Sequence, residues 1–114
     1  RQDHLPRARA AADDDLLTRA GRMQGYFGEC VHALKGLPNV IDIRNIGLVA
    51  GIELASMPGE PGKRAFNIFL DCFAKGVMVR TTGDTVALSP PLIIEREHID
   101  QLVDTLRGAI QRAA

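Results

Sequence analysis

The chain has 114 residues, of which 46% are hydrophobic and 25% charged, and fourteen basic side chains balance fourteen acidic ones. This length and composition are typical of one globular domain with its own hydrophobic core. A net charge of zero argues against a nucleic-acid or acidic-membrane partner, and no apolar run approaches the ~20 residues of a membrane span.

The first predicted element is an amphipathic helix. Residues 1–15, rich in Arg, Ala and Asp, predict a loosely ordered lead-in to a domain at 16–114. Apolar residues then recur at steps of three and four, which indicates a helix with one buried face. These residues are Leu16, Ala20, Met23, Phe27, Cys30, Val31 and Leu34. Gly36 and then Pro38 predict where the helix ends.

Two strands and a loop follow. The first strand begins at Val40, a turn is predicted at 45–47, and residues 48–54 (LVAGIEL) form the second strand. Gly51 inside this strand indicates a bulge or the close approach of another backbone. Residues 56–62 (SMPGEPG) have the composition of a loop.

The rest of the chain predicts a helix, a strand pair and a last helix. The second helix spans 64–75, and we expect its face of Phe66, Phe69, Leu70 and Phe73 to anchor the core. Strands at 77–79 and 85–89 flank a polar turn at 81–84, and the last helix starts near Glu95. Its apolar stripe consists of Ile99, Leu102, Val103, Leu106, Ile110 and Ala113.

The element order α-β-β-α-β-β-α predicts an α+β fold. Hairpin pairs separated by helices favour a mostly antiparallel sheet of three or four strands with helices packed on it. We expect Leu102, Leu106 and Ile110 to pack against the phenylalanines of the second helix over one face of this sheet.

Arg80 is the best chemical clue in the sequence. It comes directly after the predicted strand at 77–79 and next to a tight turn, so its guanidinium would have a fixed base. A planar guanidinium there can hold a carboxylate with two parallel hydrogen bonds. An arginine at a strand end can equally pair with a surface acid or extend into water, and the residues alone leave both interpretations open.

Other reactive side chains lack the spacing that their chemistry needs. Residues 59–64 superficially resemble a phosphate loop, but Met57 and Arg64 stand where Gly and Ser or Thr are required. Glu95 and His98 have no second histidine near enough in sequence to predict a metal site. Cys30 and Cys72 fall among apolar helix positions, which favours reduced thiols and a cytoplasmic protein, with a disulfide as the alternative.

Two segments resemble a known family. Residues 42–54 (DIRNIGLVAGIEL) and 76–94 (GVMVRTTGDTVALSPPLII) are similar to the C-terminal small domain of class III aminotransferases, which are pyridoxal phosphate enzymes of fold type I. The branch is that of the ω-amino acid–pyruvate, or β-alanine–pyruvate, transaminases. The resemblance implies a homodimer in which Arg80 binds the carboxylate of an amino or keto acid and can swing away to admit an apolar amine.

The family's catalytic groups have no counterpart in this sequence. The lysine that forms the Schiff base, the acid under the pyridine nitrogen and the phosphate cup belong to the large domain of the family. Lys35, Lys63 and Lys75 lie at predicted helix ends or loops, so we expect no cofactor in this chain and pyridoxal phosphate in the parent enzyme.

Three interpretations therefore remain. The first is an inactive C-terminal fragment of an enzyme that transfers an amino group from an amine or ω-amino acid to pyruvate. The second is a non-catalytic stand-alone binding or dimerisation module of the same fold. The third is a regulatory domain that binds a small molecule and shares only the topology.

Overall fold

The computed structural model describes residues 18–19, 21–90 and 94–114. This part of the chain contains three helices and four strands, and the strands form one antiparallel sheet in the order β1-β2-β4-β3. In chain order the elements are α1 (21–32), β1 (Val40–Ile46), β2 (Val49–Leu54), α2 (Lys63–Ala74), β3 (Arg80–Thr82), β4 (Thr85–Leu88) and α3 (Arg96–Arg112). The predicted α+β fold and element order are confirmed, while the predicted lead-in at 1–15 lies outside the described residues.

The two faces of the sheet have different surroundings. Ile43 lies opposite Ile52, and Ile52 opposite Val86, and all three are buried. Because side chains alternate along a strand, the next row of partners projects from the other side. That row, the open-face row, consists of Arg44, Gly51, Ala87 and Arg80. Its side of the sheet is called the open face, and the side of Ile52 the covered face.

The helices pack on the covered face. The core joins apolar residues of α1, α2 and α3 to those of the sheet. From the helices and the turn after α1 it takes Met23, Phe27, Val31, Leu34, Ala65, Ile68, Cys72, Ile99, Val103, Leu106, Ala109 and Ile110. The predicted stripe of α3 and the described part of the α1 stripe are thus confirmed, whereas Leu16 and Ala20 lie outside the described residues. None of the described helices is long and apolar enough to cross a membrane.

The predicted orientation of α2 is wrong. Ala65, Ile68 and Cys72 face the core, whereas Phe66 and Phe73 are 51% and 58% exposed. The rings of Phe66 and Phe69, and of Phe69 and Phe73, stack along the outer side of the helix with centroids 5.9 and 6.1 Å apart. Of the predicted face, Phe69 is half-buried against the core, whereas Phe66, Leu70 and Phe73 are exposed, so the residues of α2 that enter the core are Ala65, Ile68 and Cys72.

The physical reason is that α2 carries two apolar stripes. Residues 65, 68 and 72 have the same three-and-four spacing as residues 66, 69 and 73, so periodicity alone does not choose between them. Alanine and cysteine are small, and they let the helix axis approach the sheet closely. Phe66 and Phe73 are left on the outside, and Phe69 lies at the border of the core.

Arg64 is a buried charge that ties distant segments together. It is 9% exposed, its Nε donates to the carbonyl of Ala55 at 2.8 Å, and a terminal nitrogen donates to the carbonyl of Ala113. Because a buried guanidinium needs hydrogen-bond acceptors, this arrangement fixes the loop before α2 against the end of α3.

Leu106 provides a test of this packing. Its side chain is 0% exposed, so Leu106→Ala is expected to lower the free energy of unfolding by ~2–5 kcal/mol, measured by urea denaturation. Phe66→Ala, on the outer stripe of α2, is the control and is expected to cost clearly less. A loss below about 0.5 kcal/mol for Leu106→Ala would place this residue at the surface and contradict the architecture.

An ion-pair cluster joins α2 to α3. Asp71 accepts hydrogen bonds from Nε of Arg112 and Nζ of Lys75, each at 2.6 Å. The hydrogen bond from Arg112, followed by that from Lys75, lowers the pKa of Asp71 to about 2. The ionised carboxylate is therefore favoured in the folded chain.

This pKa predicts a pH-dependent stability. Because the folded pKa lies below the unfolded value of ~3.9, the stabilisation is complete above that value and is lost as the pH falls through the folded pKa of about 2. Asp71→Asn is expected to lower the free energy of unfolding by ~0.2–1 kcal/mol at neutral pH. The difference from wild type should vanish below the folded pKa in urea titrations at several pH values. Asp104→Asn, which removes an exposed pair with Arg107 inside α3, is the control, and an equal effect there would contradict the special role of Asp71.

Candidate functional site

Arg80 is the first residue of β3 and not the residue after a strand. It lies opposite Ala87, and Thr81 and Thr82 pair with Val86 and Thr85. The predicted strand at 77–79 lies outside the ladder, and the predicted turn at 81–84 shrinks to residues 83–84. The reason is that β-branched threonines fit a pleated strand and its cross-strand pairs, so they lengthen the hairpin.

Alternation along this segment turns Arg80 towards the open face. Val77 and Val79 are buried, whereas Met78 is 70% exposed and Arg80 is exposed. The guanidinium therefore stands on the open face, at the sheet edge formed by β3. The strand beneath it is held to the core by the two valines.

Arg80 borders a cavity of about 490 Å³. The other described residues that line the cavity are uncharged and mostly apolar: Val49, Val77, Met78, Val79, Ala87, Leu88, Ser89, Pro90, Ile94 and Leu102. A cation beside apolar walls suits a ligand with one anionic group, since polar contacts in such a cavity fix orientation while the walls supply contact area.

The two arginines of the open-face row differ in their partners. Arg44, on the opposite edge, lies 3.4 Å from a carboxylate oxygen of Asp42 and 3.9 Å from one of Glu53. No described residue forms an ion pair or hydrogen bond with the Arg80 guanidinium. Among the described residues, therefore, none competes for the parallel N–H groups with which a guanidinium can hold a carboxylate.

Small residues separate these two arginines. Gly51 has no positive φ, and a Cβ added there would come no closer than 3.6 Å to Cγ2 of Thr85. Neither backbone conformation nor local crowding therefore requires glycine at this position. Together with Ala87, Gly51 leaves the middle of the open-face row without a large side chain.

Asp84 fastens the turn that follows β3. Its Oδ1 accepts a hydrogen bond from the backbone N–H of Gly62 at 2.8 Å, and its Oδ2 accepts one from the hydroxyl of Ser56. Its backbone carbonyl accepts the N–H of Leu54 at 2.9 Å. Sequence reasoning placed Asp84 only in a polar turn, because its side-chain partners lie 22 and 28 positions away and no local motif signals them.

The lysines do not fit a pyridoxal phosphate site. Lys35, Lys63 and Lys75 are exposed. Nζ of Lys63 donates to Glu60 at 2.9 Å, and Nζ of Lys75 donates to Asp71. A lysine that forms a Schiff base is typically desolvated or held beside another cation, and none of the three has such surroundings among the described residues.

The remaining candidate groups, Cys30, Cys72 and His98, lie in the three helices. Cys30 is half-buried and Cys72 buried, and both are free thiols; burial raises the pKa of Cys72 to about 11. Nδ1 of His98 accepts the N–H of Glu95 at 3.3 Å, which caps α3. No group of metal-ligating side chains occurs in the described part of the chain.

The family assignment follows from comparison with known proteins. The family model for class III aminotransferases matches residues 7–110, and the chain belongs to this family. It is 50% identical over 98 residues to an omega-aminotransferase of Caulobacter vibrioides, covering 86% of this chain and 22% of the relative. It is 34% identical over 103 residues to a beta-alanine–pyruvate aminotransferase of Pseudomonas aeruginosa, covering 90% of this chain and 23% of the relative.

Solved structures share the fold. A transaminase with L-alanine superposes with a TM-score of 0.80 at 27% identity, covering 95% of this chain and 27% of that one. An aminotransferase of Vibrio fluvialis superposes with a TM-score of 0.76 at 24% identity, covering 88% and 24%. The chain thus spans less than a third of the length of each of these proteins.

Chemical trapping tests the interpretation of the lysines. After incubation with pyridoxal phosphate, borohydride reduction and digestion, we expect only weak labelling spread over Lys35, Lys63 and Lys75, because solvent-exposed amines react without selectivity. Peptide mass spectrometry gives the extent of labelling. Stoichiometric labelling of a single lysine would contradict the absence of a Schiff-base site among these residues.

Proposed function

We propose that residues 16–114 are the C-terminal small domain of an ω-amino acid–pyruvate aminotransferase and that Arg80 binds the carboxylate of its substrates. Membership of the class III family supports this proposal. So do the two relatives, whose names give an omega-aminotransferase and a beta-alanine–pyruvate aminotransferase. The chain covers only 22% and 23% of their lengths, so we assign the catalytic groups to further residues of a longer protein.

The observation that carries the proposal is the Arg80 guanidinium beside the cavity, with which no described residue forms an ion pair or hydrogen bond. A keto acid such as pyruvate presents a planar carboxylate. Two parallel N–H···O bonds would fix both its position and its rotation, which holds the reacting carbon in a defined place. No described residue forms an ion pair with Arg80, so none of them neutralises its charge.

The walls of the cavity suit the rest of the substrate. Val49, Met78 and Leu102 are among the residues that line it, and they would contact the carbon chain of an amine or ω-amino acid. An amine without a carboxylate would use these contacts alone. In that case the exposed Arg80 side chain can turn towards water at little cost, since no described partner holds it.

The cofactor and partners follow from the same assignment. Pyridoxal phosphate, which family membership implies, does not fit the lysines of this chain, so we place its site in the rest of the parent protein. The ligands proposed for this chain are small amino and keto acids, and the proposed assembly is a homodimer of the parent. Nucleic acid and membrane are not among the proposed partners, and a cytoplasmic location stays a prediction.

The alternative is a non-catalytic module for binding or dimerisation. The stacked phenylalanines on the outer side of α2 favour it, because exposed apolar stripes often mark interfaces. The two functions differ in the reading frame upstream of Arg1. Several hundred codons with a pyridoxal phosphate lysine motif would support the aminotransferase, and an immediate start codon would support the module.

Substitution of Arg80 in the parent enzyme tests the proposed function. Arg80→Ala removes charged hydrogen bonds of roughly 1.5–3 kcal/mol, so kcat/KM for carboxylate substrates is expected to fall ~10- to 150-fold. Arg80→Lys should also be damaging, because an ammonium cannot form the paired contact. Single-turnover rates with an amine that carries no carboxylate should be nearly unchanged.

Arg44→Ala is the matched control, since Arg44 lies in the same row of the open face but pairs with Asp42 and Glu53. It is expected to leave both substrate classes nearly unaffected. An equal loss for both classes in Arg80→Ala would show that Arg80 is structural. No loss for either class would place the carboxylate site elsewhere.

A further inference from the structure

We propose that Asp84 is a positioning residue for Arg80, and that it acts by fastening the turn between β3 and β4 to the loop before α2. This inference rests on the proposed function of Arg80 as the ligand of the substrate carboxylate. It adds a residue that does not touch the substrate but decides where the guanidinium stands.

The strand that carries Arg80 is short, and the buried Val77 and Val79 secure only the end of it that holds Arg80. β3 comprises Arg80–Thr82 and pairs only with β4, at the edge of the sheet. Residues 77–79, which lead into it, lie outside the ladder. A short edge strand makes few ladder hydrogen bonds, and its position therefore depends strongly on how its ends are held.

Asp84 holds one of these ends from several directions. The carboxylate reaches Ser56 and Gly62, and the backbone carbonyl reaches Leu54 at the end of β2. Each carboxylate oxygen thus has its own donor. The turn is joined to a central strand, to a loop and to the start of a helix by one residue.

The turn also lies directly against the start of α2. Gly62 has a φ of 82°, and a Cβ added there would lie 3.5 Å from the carbonyl oxygen of Gly83. Gly83 has a φ of 57°. Both positions use the left-handed conformation that glycine adopts without strain, and this lets the two backbones meet where the carboxylate of Asp84 bridges them.

The loop that receives these hydrogen bonds is itself anchored. Next to Ser56, the carbonyl of Ala55 accepts the hydrogen bond from the buried Arg64, which also contacts Ala113 at the end of α3. The contacts therefore run from the β3–β4 turn through the loop to the helical layer. Fixing Asp84 fixes one end of β3 relative to the core.

Loss of the carboxylate would leave β3 held by its ladder with β4 and by the buried Val77 and Val79 before it, and its turn end would be free to shift. Arg80 stands at the other end of the same strand, opposite Ala87, so tilting of the hairpin would move the guanidinium across the cavity. A displacement of ~1 Å at a substrate-orienting group can cost ~100-fold in rate. The effect should be confined to substrates that present a carboxylate, since only they depend on the direction of the paired N–H groups.

The test uses the full-length parent enzyme with Asp84→Ala, Ser56→Ala and the double variant. We measure KM and kcat for pyruvate, the inhibition constant of propionate as an unreactive carboxylate, and the single-turnover rate with an amine that lacks a carboxylate. Asp84→Ala is expected to raise both the KM for pyruvate and the inhibition constant of propionate about tenfold. The rate with the amine should change by less than about twofold.

Ser56→Ala removes one of the two side-chain hydrogen bonds and should raise the same two constants by about twofold to threefold. The double variant should be no worse than Asp84→Ala, because residues that act through one contact are not additive. If Asp84→Ala does not fold, Ser56→Ala still tests whether the hydrogen bonds of Asp84 position Arg80. An unchanged inhibition constant for propionate in Ser56→Ala would then overturn the proposal.

Asp71→Asn is the matched control, because Asp71 is likewise an aspartate with two hydrogen-bond donors but joins α2 to α3. It should leave the constants for pyruvate and propionate unchanged. A similar loss in Asp71→Asn and Asp84→Ala, or an equal loss with both substrate classes, would show a general effect on stability and overturn the proposal. If Arg80→Ala does not affect carboxylate substrates more than amines without a carboxylate, the proposed function is overturned. If Arg80→Ala shows this difference and Asp84→Ala does not, only the present inference is overturned.

Discussion

Helices cover one face of the sheet, and this one-sided covering decides which side chains of the hairpin are available to a ligand. Alternation along β3 places Val79 and Thr81 on the covered face and Arg80 on the open face. A shift of one residue in the pairing of β3 with β4 would reverse this arrangement. It would turn the guanidinium towards the core, where a charge without acceptors is costly. The register of this short hairpin thus decides whether the Arg80 guanidinium lies on the open face, where a ligand can reach it, or in the core, where its charge would be costly.

Much of the fold could be predicted from periodicity and turn residues. The apolar stripe of α3 and the element order were correct, because in these segments only one spacing pattern is present. The orientation of α2 could not be predicted, since the stripes at Ile68 and Phe69 have the same period, and the choice depends on how closely the helix approaches the sheet. The end of this strand was misplaced because threonine suits both a turn and a strand, and only the pairing with β4 assigns Thr81 and Thr82 to β3.

The site was predictable only in part. The sequence singled out Arg80, and the family resemblance supplied a hypothesis for its role. Its lack of a described partner and its place beside a cavity depend on tertiary structure. Arg64 and Asp84 carried no sequence signal at all. Both form hydrogen bonds with backbone groups or with side chains that are distant in sequence. Because every residue type has a backbone carbonyl, and nearly every type an N–H, the sequence does not show which of them takes part.

The side chains of the open-face row differ in size, so the surface of the sheet is higher at its two edges than in the middle. Arg44 and Arg80 rise at its two margins, while Gly51 and Ala87 form a floor between them. Any molecule or polypeptide that lies across this face reaches the backbone most closely at Gly51, where no Cβ intervenes. Such a molecule lies between the positive charges of Arg44 and Arg80. Asp42 and Glu53 pair with Arg44 and offset its charge. The positive charge on the open face is therefore uneven, and an anion bound between the two arginines is attracted more strongly to Arg80 at the β3 edge.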